Sequence, residues 1–135
     1  MQPRKKMRTI LIIAVTVTLF SAENSVAQDA EKGKMVFNMC LPCHSIGPGA
    51  QNKIGPELNG LDGRHSGSAP DFDYSDANKN SGIVWNEATF KKYIPNPQGV
   101  IPGTKMIFPG VKNEQQVNDL WAYISQFNVD GSIKK

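Results

Sequence analysis

Apolar residues recur at helical spacing in three stretches of this chain, and no run alternates with the period of two that a half-buried strand requires. In the first stretch, Asp29 can cap a helix that starts at Ala30 and runs towards Cys40, with Gly33, Val36, Phe37 and Cys40 on one face. Gly33 weakens that helix, and close approach by another helix would justify it. The second stretch, Trp85 to Ile94, reads as a helix stopped by Pro95 and Pro97, which cannot continue the backbone ladder. The third begins at Asn113, a capping residue with Gln116 three positions later as in a capping box. Val117, Leu120, Tyr123, Ile124 and Phe127 form its apolar stripe.

Ser45 to Val84 has no such pattern. It is dense in Gly, Pro, Asn, Asp and Ser and predicts loops and turns, with one short helix at Ser75 to Asn80 closed by Gly82. Forty residues of loop count against a compact domain unless something holds them, and a buried cofactor with apolar faces would do so. There is no internal repeat and no βαβ pattern. The expectation is an all-α domain with long loops.

The chain has 135 residues, 39% of them hydrophobic and 20% charged, which suits one globular domain. Its first section stands apart. Arg4, Lys5, Lys6 and Arg8 precede a mostly apolar stretch from Thr9 to Phe20, and Ser25-Val26-Ala27 forms a small-x-small cleavage site. Residues 1–27 therefore read as a cleavable secretory signal peptide. The alternative, a retained membrane anchor, needs roughly 20 apolar residues, more than this stretch provides. The mature domain, 28–135, would then lie in a bacterial periplasm or an equivalent compartment. It keeps eleven basic and eleven acidic residues, so the formal +3 of the whole chain belongs to the export segment. Nucleic-acid binding, which needs a basic face, loses its compositional support.

Both cysteines and one of the two histidines fall in Cys40-Leu41-Pro42-Cys43-His44. Cys-x-x-Cys-His is the attachment pattern of a c-type haem. On a helix the three side chains project to one side, so two thiols can add to the two vinyl groups of a macrocycle while the imidazole reaches the iron. A thioredoxin-type dithiol would need a preceding strand and a βαβ context. A zinc site would need a fourth ligand, with only His65 left among histidines and no third cysteine. A plain disulfide leaves His44 unexplained. A haem iron held by His44 needs a second axial partner or an open position, and this choice separates carriers from enzymes. Met35 and Met39 lie beside the cysteines, whereas Met106 follows Pro102 and Gly103, which allow a turn close to a ring. Position alone leaves Met106 open between iron ligand and core filler.

The chain resembles the class I cytochromes c, in particular mitochondrial cytochrome c and its bacterial respiratory and photosynthetic relatives. The resemblance runs from about Ala30 to Phe127. It rests on Cys40 to His44, Gly55-Pro56-Glu57-Leu58-Asn59-Gly60, Gly63-Arg64, Tyr74 to Asn80, and Pro102-Gly103-Thr104-Lys105-Met106. It implies the cytochrome c fold: three main helices, a short helix and long loops wrapped around one covalently attached haem. By position it implies that Cys40 and Cys43 carry the haem, and that His44 and Met106 ligate the iron. Pro56 would accept the Nδ1 proton of His44. Arg64, Tyr74 and Trp85 would serve one propionate, Thr104 would lie near the other, and Asn78 and Tyr93 would join the pocket's polar network. Gly33 and Phe37 would pack on Leu120 and Tyr123.

The resemblance also implies a soluble, monomeric one-electron carrier rather than an enzyme, with peroxidase activity only if Met106 leaves the iron. It would take electrons from a cytochrome bc-type complex and pass them to a terminal oxidase, a reaction centre or another periplasmic reductase. Docking would be transient and would use Lys53, Lys105 and Phe108. This chain departs from the mitochondrial pattern in its thinned lysine ring, with Met39, Gln98 and Gly99 standing where lysine is frequent. It is also one residue shorter between Phe37 and Cys40.

Overall fold

A computed structural model describes residues 27–135. The expected signal sequence, apart from Ala27, lies outside the described residues. The elements are α1 (Ala30–Phe37), α2 (Asp76–Lys79), α3 (Glu87–Tyr93), α4 (Pro97–Val100) and α5 (Glu114–Ile124). Among the described residues the only extended pairings are isolated bridges, His65 with Val84 and Phe127 with Ile133. The all-α expectation holds.

Asp29 opens α1, its carboxylate accepting from the backbone N–H groups of Glu31 and Lys32. The helix stops at Phe37, short of the expected Cys40. Turns then carry the chain on, and the N–H of His44 donates to the Cys40 carbonyl at 2.8 Å. Cys40 and His44 therefore keep the four-residue helical relationship outside the helix itself. Asn86 and Thr89 cap each other reciprocally at the start of α3. That cap moves the start to Glu87, because the N–H of Trp85 is used instead on the carbonyl of Arg64 at 2.8 Å. Pro97 does not merely end α3. It occupies the first turn of α4, where its missing N–H costs nothing and its fixed φ suits a helix start. In α5, Asn113 accepts from the N–H of Gln116 as expected, so the cap rests on that bond.

α1 packs across α5. A Cβ on Gly33 would sit 1.9 Å from the Asp119 carbonyl oxygen and 2.8 Å from the Tyr123 Cβ, so only glycine admits this crossing. The Phe37 ring meets Tyr123 at 5.3 Å between centroids, and Phe90 on α3 meets Trp121 at 5.2 Å. Phe37, Leu120 and Ile124 are fully buried at this junction. Burial of each such side chain contributes about 1.5–3 kcal/mol, which makes the α1–α5 crossing the anchor of the fold. Phe127 lies beyond the end of α5 yet is buried, and its carbonyl accepts from Gly60, which ties the C-terminal segment to the long loop.

The loop between Ser45 and Val84 is held by specific backbone bonds. Gly63 donates to Trp85 at 2.7 Å, and Ser66 donates to Ile83 at 2.8 Å. These bonds bring Arg64, Ser66 and Trp85 to one place, the edge of a large cavity.

Candidate functional site

A cavity of about 240 Å³ lies between the α1–α5 core and the loops. Its walls include every residue the sequence nominated for the site: Cys40, Cys43, His44, Pro56, Arg64, Tyr74, Asn78, Trp85, Tyr93, Thr104 and Met106. Residues more than 60 positions apart thus share one apolar-lined space. Met39 also reaches it, half-exposed, whereas Met35 points to solvent.

Cys40 and Cys43 carry free thiols. Burial, reinforced by the neighbouring Cys43, pushes the Cys40 thiol up to about 11, so it is neutral near pH 7. His44 makes a 2.7 Å contact from Nδ1 to the Pro56 carbonyl oxygen. With Nδ1–H donating there, Nε2 keeps its lone pair for a metal. Burial lowers the imidazole's pKa, the Pro56 bond opposes this, and the charges of Arg64 and Lys53 add to the lowering. Neutral imidazole is the ligating form. Gly55 makes room for the ring, since a Cβ there would meet His44 Cε1 at 2.4 Å.

Met106 comes from the loop after α4. Its sulfur accepts a hydrogen bond from the Tyr93 hydroxyl at 3.0 Å, and its N–H donates to Thr104 Oγ1 at 3.2 Å. Burial pushes Tyr93 up to about 12, partly countered by the Thr104 hydroxyl. Tyr93 also sets its ring edge against Trp85 at 4.8 Å.

The polar corner holds Arg64, Ser66, Tyr74 and Trp85. Tyr74 accepts from the N–H of Ala69 at 3.1 Å, and burial raises the pKa of its hydroxyl. Ser66 was not foreseen. Its Oγ is buried in the cavity wall without a hydrogen-bond partner. Glu57 was not foreseen either, although it stands inside one of the quoted motifs, and it forms a 2.9 Å ion pair with Arg64. A short side-chain reach from a loop to an arginine seven residues on has no periodic signature in the sequence.

The expected docking lysines are both engaged. Lys105 Nζ pairs with the Asp73 carboxylate at 2.7 Å and also donates to its carbonyl, while Lys53 Nζ donates to the Leu41 carbonyl.

Two free thiols, an imidazole with a free Nε2, a thioether and a corner of donors around one cavity fit a haem. The unsatisfied Ser66 hydroxyl in that corner suits a carboxylate-bearing group. Among the described residues no group of three or more His, Cys, Asp or Glu side chains is placed to hold a bare metal ion. Among the described residues no strand precedes Cys40, as a thioredoxin-type arrangement would need.

Fold and site together define a c-type cytochrome. Residues 30–128 match the family model described as cytochrome c, and the chain belongs to that family. It is 65% identical over 106 residues to cytochrome c-550 of Bradyrhizobium diazoefficiens, covering 78% of each chain. It is 61% identical over 124 residues to cytochrome c2 of Blastochloris viridis, covering 92% of this chain and 98% of that one. The solved structure of cytochrome c2 from Rhodospirillum centenum superposes with a TM-score of 0.71 at 34% identity, covering 74% of this chain and 98% of the other. The protein is an electron carrier with covalently bound haem c, not an enzyme.

Proposed function

We propose that Cys40 and Cys43 are the attachment thiols and that His44 and Met106 would ligate the iron. On this reading Pro56, Arg64, Tyr74, Asn78, Trp85, Tyr93 and Thr104 hold and tune the cofactor. Convergence of His44 and Met106 on one cavity carries the proposal, each with a second bond that orients it: His44 through Pro56, Met106 through Tyr93.

When bound, haem c supplies iron that exchanges one electron at a time. His44 through Nε2 and Met106 through its sulfur would hold the iron, and with both engaged the centre would exchange electrons rather than bind oxygen or peroxide. The Met106 thioether is a soft donor that favours Fe(II), placing the carrier on the positive side of a range that axial ligands tune over roughly 0.8 V. Pro56 orients the imidazole and keeps its Nε2 available. Tyr93 fixes the thioether and draws on one sulfur lone pair. Trp85, Tyr93 and Leu120 keep water from the cavity's inner side. Because these contacts do not depend on oxidation state, little need move during transfer.

The mature protein, 28–135, would act as a soluble monomer in the periplasm after removal of residues 1–27. It would shuttle electrons from a cytochrome bc-type complex to a terminal oxidase, a photosynthetic reaction centre or another periplasmic reductase. Among the described residues no helix is long and apolar enough to cross a membrane. Ile54 and Ile107, both exposed, flank the cavity mouth together with Phe108 and Lys105 and offer a patch for brief docking.

Met106→Ala tests the ligand assignment. The haem should stay attached, while the reduction potential falls and external ligands such as imidazole bind the iron. An unchanged potential would show that another residue is the distal ligand. Reduction of the holoprotein by an isolated bc-type complex tests the donor.

A further inference from the structure

Arg64 lines the cavity, and Glu57 stands behind it, outside the lining. Arg64 Nη1 donates to Glu57 Oε1 at 2.9 Å and to the Asn59 carbonyl at 3.3 Å, and Nη2 donates to the Glu57 carbonyl at 2.8 Å. Of the five guanidinium N–H groups, these three are committed to the loop, leaving two. The other carboxylate oxygen of Glu57 accepts from the N–H of Asn59 at 2.7 Å. Both oxygens are therefore fixed, and the pair is largely shielded, with side-chain exposures of 14% for Arg64 and 20% for Glu57.

The same loop grips the site on two sides. Pro56 accepts from His44 through its carbonyl, and the next residue, Glu57, holds Arg64 through both its carbonyl and its carboxylate. Beside Arg64 the cavity corner contains the unsatisfied hydroxyl of Ser66, and the Arg64 carbonyl accepts from Trp85. This corner presents donors to an acceptor supplied by the cofactor.

We propose that Glu57 is a positioning residue: it locks the Arg64 guanidinium into the cavity wall and, by pairing with it, sets how much positive charge the protein presents to the acidic edge of the haem. The proposal rests on the reading above that Arg64 serves a propionate. A fixed guanidinium costs no reorganisation when the iron changes charge. Its charge disfavours Fe(III), and the carboxylate behind it offsets that effect. The pair is largely shielded from solvent, so its charges are screened less than they would be at the surface.

The test is the midpoint potential of haem-loaded protein carrying Glu57→Gln, which keeps an acceptor for Nη1 but removes the charge. The potential is expected to rise. A merely structural role would lower thermal stability and leave the potential where it was, so an unchanged or lowered potential overturns the proposal. Arg64→Gln, measured in parallel, separates this from the reading beneath it. A fall in potential confirms that Arg64 acts on the haem's acidic edge. If Arg64→Gln leaves the potential unchanged, the placement of that edge is wrong and the role of Glu57 falls with it. If Arg64→Gln lowers the potential while Glu57→Gln does nothing, only the role of Glu57 falls.

Discussion

The Tyr93 hydroxyl donates a hydrogen bond to Met106 Sδ across 3.0 Å, joining the end of α3 to the loop that follows α4. A donor on the sulfur withdraws electron density from the thioether and weakens it as a donor to Fe(III). If Met106 ligates the iron as proposed, Tyr93→Phe should therefore lower the reduction potential and leave that ligation in place. Spectroelectrochemical titration checks the first part. The weak red charge-transfer band of the ferric protein checks the second.

The same phenol predicts an alkaline weakness. Tyr93 titrates near 10 when unfolded and is pushed up to about 12 by burial in the folded protein. Its folded form holds the proton more tightly, so its contribution is full below pH 10 and is lost as pH rises towards 12. Denaturant unfolding measured across this window should show stability falling with pH. Tyr93→Phe should flatten that slope.

Gly33→Ala should destabilise the protein severely, because its Cβ would meet the backbone oxygen of Asp119 and only a shift of α1 relieves the clash. Overpacking of this kind costs about 1–3 kcal/mol or more. Guanidinium melts of the holoprotein measure the loss. The absorption spectrum should stay that of the parent as long as the protein is folded.

Asn86→Ala removes the side chain that accepts from the N–H of Thr89 and should cost about 1 kcal/mol, leaving the potential unchanged. A shift in potential would mean that α3 moves Tyr93 relative to Met106.

Asp73→Asn should strengthen docking electrostatics. Lys105 is held by the Asp73 carboxylate, and removing that charge frees a lysine at the cavity mouth. Reduction by an isolated bc-type complex should then fall more steeply with ionic strength than it does for the parent protein.

Much of this molecule is legible in its sequence. The stripe of Val117, Leu120 and Ile124 and the cap at Asn113 locate α5, because both signals are local and periodic. The spacing of Cys40, Cys43 and His44 announces the attachment chemistry for the same reason, and it survives the early end of α1 because a single helical turn still spans it. Ser75 and Asn80 bracket α2 as expected. α4 escaped because Pro97 signals the end of one helix and the beginning of another equally well, and only the path of the chain distinguishes them.

The sequence by itself determined the helical character of the domain, the attachment motif and, through resemblance, the residues around the pocket. Tertiary structure alone decided which charges remain free and which partners orient His44 and Met106. Arg64 is paired with Glu57 and Lys105 with Asp73, and Tyr93 reaches Met106. Helical periodicity records which face of a segment is buried, whereas an ion pair or a bond to sulfur depends on where loops of unrelated sequence pass one another. That passage is set by closure of the chain around a common cavity, and no local pattern of residue types encodes it.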